Sequence, residues 1–148
     1  MTIAAILKHK IRQCGEQPVA FVAPTDRIAD VAKLLTRRRI GAVLVQDSAQ
    51  QLLGIVSERD IVRAIAAHGA EALDKTAAQM MTREVRTAEP AMTVAHAMEV
   101  MSEGRFRHLP VVVGGRVLGI VSIGDIVTAR LRDQAQEVDT LRAYVAGQ

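Results

Sequence analysis

Two nine-residue stretches, GIVSERDIV at 54–62 and GIVSIGDIV at 119–127, are identical at seven of nine positions and set Gly, Ser and Asp at steps of three. Ser57 with Asp60, and Ser122 with Asp125, suit a helix start, where the hydroxyl caps one backbone N–H and the acid another and also favours the positive end of the helix. The same spacing suits ligand chemistry. A helix N-terminus at the end of a strand offers free amides to an anion, the serine adds a hydroxyl, and a carboxylate can accept two hydrogen bonds from the neighbouring hydroxyls of a ribose. The cap reading leaves Gly54 and Gly119 unexplained, because a glycine late in an apolar run marks a place where something approaches the backbone closely.

Cations stand near both stretches. Arg59, Arg105, Arg107 and His108 are placed to neutralise phosphates, although Arg37, Arg38, Arg39 and Arg105 read equally well as solvated charges after a helix, and His108 as a surface residue at the head of a strand. The candidate ligand-binding set is therefore Ser57, Arg59, Asp60, Arg107, His108, Ser122 and Asp125. No catalytic set is expected. His9, His68, His96 and His108 are scattered without metal-ligand spacing, Cys14 is the single cysteine, and no P-loop or GxGxxG is present. Glu58 and Asp60, two apart on a helix, do not face each other.

The elements that must position these residues come in two copies. Beyond the nonamers, Pro24, Val31, Leu35, Arg39, Ile40 and Val45 map onto Pro90, Ala97, Met101, Arg105, Phe106 and Val111 at an offset of 66. Each copy reads as helix, strand, strand, helix: Ile28, Val31, Leu34 and Leu35 share a helical face, AVLV and LLGIV are apolar strands around a polar turn, and Ser57 opens a helix with Ile61, Val62 and Ile65 facing inward. Copy two repeats this with HLPVVV, the turn Gly114–Gly115, RVLGIV and a helix from Ser122. A unit of about 50 residues buries too little surface to stand alone, so the copies are expected to pack with pseudo-twofold symmetry and create two clefts.

The paired GIVSxxD segments, with IGAVLV in copy one and FRHLPVVV in copy two, resemble the cystathionine-beta-synthase (CBS) domain, and the tandem resembles the CBS pair. The resemblance covers about 18–133. It implies an α+β fold of two β-α-β-β-α units and clefts for adenosine-containing ligands: AMP, ADP or ATP first, with NAD or S-adenosylmethionine as alternatives. It assigns Asp60 and Asp125 to ribose hydroxyls, Ser57 and Ser122 to phosphate or ribose, and Arg107 and His108 to the ligand. Because copy one has Gly41 and Ala42 where copy two has Arg107 and His108, and Gly124 stands where copy one has Arg59, the clefts should differ. Asp125 is the stronger candidate, as Arg107 and His108 accompany it in sequence.

The expected organisation is an N-terminal helical flank at 1–17, unit one at 18–70, a connecting segment at 71–83, unit two at 84–133 and a C-terminal helix extension at 134–148. In that extension Leu131, Val138, Leu141 and Val145 make an apolar stripe that would suit a second subunit. With 49% hydrophobic residues and apolar runs of about five, the chain reads as globular with no membrane span. Its N-terminus places apolar residues before charges, the reverse of a secretory signal, and a cytoplasmic location is expected. A net charge of +3 fits a phosphate ligand as well as a polymer, but Phe21, Phe106 and Tyr144 are the only aromatics, too few to stack single strands. The expected function is a regulatory, non-catalytic module sensing adenine nucleotides and acting on an effector protein. The alternative is an oligomeric scaffold with vestigial clefts, ahead of a basic nucleic-acid binder.

Overall fold

The structure is a computed structural model that describes residues 1–14 and 19–147. The boundary expected between 17 and 18, and Gln148, lie outside the described residues. The chain is α+β; the first copy of the repeat forms a β-α-β-β-α unit, and the second repeats it with a single bridge in place of the first strand. In unit one, β1 (Phe21–Val22) runs parallel to β2 (Ala42–Gln46), which pairs antiparallel with β3 (Leu52–Ser57). Helix α2 (Ile28–Arg38) connects β1 to β2, and α3 (Glu58–His68) follows β3. In unit two, α5 (Val94–Gly104), β4 (His108–Val113), β5 (Arg116–Ser122) and α6 (Ile123–Ala146) repeat the order. A single parallel bridge from Ala88 to Val111 stands where unit one has β1.

Local chemistry fixes these elements. The β4–β5 hairpin turns on Gly114 and Gly115, both at positive φ as a tight two-residue hairpin requires. The longer β2–β3 turn is held instead by Asp47, whose carboxylate accepts from the Ala49 and Gln51 amides at 2.9 Å. Helices α2 and α5 end on arginines in the left-handed conformation, Arg39 at φ 54° and Arg105 at φ 55°, so the repeat extends to backbone geometry that glycine more usually supplies.

Each unit has its own core, built by Ile28, Val31, Leu35, Val43 and Val45 in unit one and by Ala97, Met101, Leu109, Val111 and Ile126 in unit two. A third apolar cluster, Val19, Ala42, Leu44 and Ile120, joins β2 of one unit to β5 of the other. The inward face expected for α3 is only partly inward. Ile61 is buried, but Val62 and Ile65 are exposed, because α3 has the sheet on one side only and none of the described residues covers the other.

Two helices outside the units pack on them in equivalent ways. Helix α1 (Ile3–Cys14) precedes unit one but packs on unit two, where the Ile3 amide donates to the Met92 carbonyl at 2.9 Å, Ala4 to Pro90 at 3.0 Å and Val94 to Met1 at 3.1 Å. After a short 3-10 helix at Gly69–Asp74, α4 (Ala77–Met80) packs on unit one through the equivalent bonds, Ala77 to Asp26 at 2.7 Å, Ala78 to Pro24 at 2.9 Å and Ile28 to Lys75 at 2.9 Å. The pseudo-twofold thus covers α1 and α4 as well as the two units. The signal in the sequence is short: Thr2-Ile-Ala-Ala against Thr76-Ala-Ala.

Candidate functional site

Both S-x-x-D segments form complete capping boxes. Asp60 Oδ2 accepts from the Ser57 amide at 2.8 Å while the Asp60 amide donates to Ser57 Oγ at 3.2 Å, and the Ser122–Asp125 pair repeats this at 2.8 and 3.1 Å. The glycines are explained by the chain itself. A methyl group added at Gly54 would sit 2.6 Å from Met81 Sδ and 2.8 Å from the Thr82 carbonyl oxygen, and one at Gly119 would sit 2.8 Å from Leu7 Cδ2. The close approach expected of a ligand is made by the segment after α4 in one unit and by α1 in the other.

Around the first capping box the structure opens a cleft of about 160 Å³ that continues into solvent. Ile55 and Ser57 line it at the end of β3, with Glu58, Arg59, Asp60 and Arg63 from the first turns of α3. The segment after α4 adds Thr82, Glu84, Val85 and Arg86, and the α5–β4 turn adds Arg105, Phe106, Arg107 and His108. Five of the expected seven ligand residues therefore meet in one place: Ser57, Arg59, Asp60, Arg107 and His108. Ser122 and Asp125 lie apart, at the start of α6.

This reverses the expected partnership. Arg107 and His108 belong to the second copy, and the His108 backbone pairs with Ser122, yet both side chains line the cleft of the first copy. The reason is the pseudo-twofold packing, which sets the α5–β4 turn of one unit against the α3 start of the other. Gly41, the equivalent of Arg107, makes room: a methyl group there would sit 2.8 Å from His108 Nε2. Arg59 and Arg107, expected at different clefts, line the same one. The sequence reading missed Arg63 and Arg86; only the i, i+4 spacing of Arg63 from Arg59 could have signalled the first.

The cleft carries five arginines against the acids Glu58, Asp60 and Glu84. Among the described residues none of the five guanidinium groups makes a hydrogen bond or ion pair, and Asp60 Oδ1 accepts no hydrogen bond. Unpaired cations around apolar walls (Ile55, Val85, Phe106) suit an anionic ligand with an apolar body. Burial holds the His108 imidazole below its ordinary 6.5; Glu58 and Asp125 pull it back up, while Lys10 and Arg107 push it further down. Among the described residues no group of His, Cys, Asp and Glu is placed to hold a metal.

The second S-x-x-D is engaged from within. Lys10 Nζ, on α1, donates to Asp125 Oδ2 at 2.8 Å and to the Ile120 carbonyl at 3.0 Å.

A sequence profile of the CBS domain matches residues 11–67 and again 77–132. The mitochondrial CBS domain-containing protein CBSX3 of Arabidopsis thaliana is 32% identical over 99% of this chain and 72% of its own. A CBS-domain-containing protein of Agrobacterium tumefaciens superposes with a TM-score of 0.81 at 40% identity, over 87% of this chain and 92% of that one. Two other similar structures were solved with ligands. A CBS domain protein from Pyrobaculum aerophilum, complexed with AMP, is 27% identical over 84% of this chain and 89% of its own, with a TM-score of 0.71. The CBS domain pair of protein MJ0100, in complex with 5′-methylthioadenosine and S-adenosyl-L-methionine, is 29% identical over 91% of this chain and 98% of its own, with a TM-score of 0.74. With two profile matches on two units related by a pseudo-twofold, this chain belongs to the CBS domain family, as a tandem pair of CBS domains.

Proposed function

We propose that this chain is a regulatory, non-catalytic module that binds an adenosine-containing nucleotide in the cleft at Ser57–Asp60 and passes the signal to an effector protein. The observation that carries the reading is the convergence of Arg59, Arg63, Arg86, Arg105 and Arg107 on one cleft that also holds the free Oδ1 of Asp60. In this reading the carboxylate takes ribose hydroxyls, the Ser57 hydroxyl and the arginines take phosphate, and the apolar walls take the base. The likeness to pairs solved with AMP and with S-adenosyl-L-methionine supports the adenosine class. The unpaired arginines favour AMP, ADP or ATP over NAD or S-adenosylmethionine. The reading includes a homodimer formed through the exposed apolar residues of α3 and α6, and a cytoplasmic location; no helix among the described residues is long and apolar enough to cross a membrane.

Thermal unfolding with each nucleotide tests it. A ligand that binds only the folded state at a hundredfold excess over Kd adds about 2.7 kcal/mol, which for a chain of this size raises Tm by roughly 5–10 °C. No shift with millimolar AMP, ADP, ATP, NAD or S-adenosylmethionine would leave the scaffold reading in its place.

A further inference from the structure

The two S-x-x-D segments stand on equivalent elements and end in different states. Ile55 and Asp60 line the first cleft; their repeat equivalents, Ile120 and Asp125, are the two groups that Lys10 Nζ binds, at 3.0 and 2.8 Å. Lys10 reaches them because α1 is longer than its counterpart. Under the pseudo-twofold Ile3 corresponds to Ala77, and Leu7, which covers Gly119, to Met81, which covers Gly54. Helix α4 stops at Met80, whereas α1 continues to Cys14. The added turns have no equivalent in the rest of the repeat, and they carry the cation to the carboxylate.

Three further observations agree. First, four of the phosphate-directed groups of the first cleft have no equivalent at the second, where Arg59, Arg63, Arg107 and His108 are replaced by Gly124, Thr128, Gly41 and Ala42, while Arg105 keeps a counterpart in Arg39. Second, the added turns are lightly anchored. Ile3, Ile6 and Leu7 are buried in the core of unit two, whereas Lys8, Ile11 and Arg12 are exposed. Third, docking strands a polar atom, because His9 Nε2 is buried among the described residues without a hydrogen-bond partner, a cost that favours release.

We propose that the part of α1 beyond Leu7 is an internal occupant of the second cleft, with Lys10 as its latch. The chain then takes one nucleotide per molecule, at the first cleft, and Asp125 becomes available only when these turns unwind. The stoichiometry rests on the function proposed above; the latch does not.

Two measurements on Lys10→Ala and Lys10→Arg separate these parts. Lys10 is partly exposed and outside the core, so both variants should fold. In the ligand-free protein, hydrogen exchange of the amides in residues 8–12 should quicken about tenfold or more in Lys10→Ala, stay near wild type in Lys10→Arg, and leave the helices of unit one unchanged. Unaltered exchange in Lys10→Ala would overturn the latch whether or not any nucleotide binds. Calorimetry with AMP and with ATP should give one binding event per wild-type chain and a second, weaker one in Lys10→Ala. Two events in the wild type with one lost in Lys10→Ala would make Lys10 a ligand donor and end the proposal. No binding by any variant would refute the proposed function and leave the exchange result to decide the latch.

Discussion

Asp60 and Asp125 make the same bond to the serine amide, 2.8 Å in each copy, and part company at the rest of the carboxylate. Asp60 keeps Oδ1 free in a cationic cleft, while Asp125 holds Lys10. Replacing either by Ala removes a helix cap, worth about 0.5–2 kcal/mol. Asp125→Ala should cost more in the ligand-free protein, since a charge-assisted hydrogen bond from Lys10, worth about 1.5–3 kcal/mol, goes with it. Asp60→Ala should cost less stability but weaken nucleotide binding tenfold or more, and Asp125→Ala should leave the affinity of the first cleft near wild type. Urea unfolding and ligand titration of both variants check this; normal binding by Asp60→Ala would reduce that residue to a cap. His108 supplies a pH dependence. Its pKa is lowered in the fold, so the unfolded chain binds more protons below 6.5, and stability should fall as pH drops from 6.5 toward the folded value. Glu58, Lys10, Asp125 and Arg107 are the charges that face it. His108→Gln should flatten that part of the stability profile, measured as Tm between about pH 5.5 and 7.5. A phosphate beside the ring would favour its protonated form, so wild-type affinity should strengthen as pH is lowered through the same range.

Among the elements, α6 is set apart by its length. It runs 24 residues, Ile123–Ala146, more than twice the length of α3, and exposes Val127, Leu131, Val138, Leu141, Tyr144 and Val145. Isolated helical turns are marginal in water, so an extension this apolar is better explained by a partner than by propensity. Val62 and Ile65 of α3 expose a similar surface. If the partner is a second copy, light scattering of the full chain should give about twice 16.0 kDa, and truncation after Arg132 should shift it toward the monomer. The first cleft uses no residue beyond His108, so the truncated protein should keep its nucleotide-dependent Tm shift. A full-length monomer at roughly tens of micromolar would end the dimer.

At the scale of the molecule, the two units have separate cores joined by Leu44, Ala42, Val19 and Ile120. Leu44 is fully buried, with β2 contributing one face to its own core and the other to this junction. Leu44→Ala should cost about 2–5 kcal/mol, the range for a leucine truncated in a packed interior. Because the first cleft takes residues from both units, nucleotide affinity should fall with it. Denaturation followed by circular dichroism should remain a single transition; two resolved transitions would show that the units unfold independently.

Much of this was legible along the chain. The offset of 65–66 residues, the alternation of helix and strand, and the pairing of Ser with Asp all rest on contacts within a few residues or on direct likeness between copies, and the family followed from them. Local spacing also fixed the capping boxes, since a hydrogen bond from residue i to i+3 needs nothing beyond one helical turn. The membership of the clefts had no such local signature. The His108 backbone pairs with Ser122, yet Arg107 and His108 line the cleft at Ser57, and Lys10 meets Asp125 across 115 residues of sequence. Those partnerships are set by how two nearly identical units dock, and by a helix that crosses to the far unit before its own begins. The repeat therefore determined which groups were present twice, and packing decided that one set faces an open, cationic cleft while the other is held by the chain's own lysine.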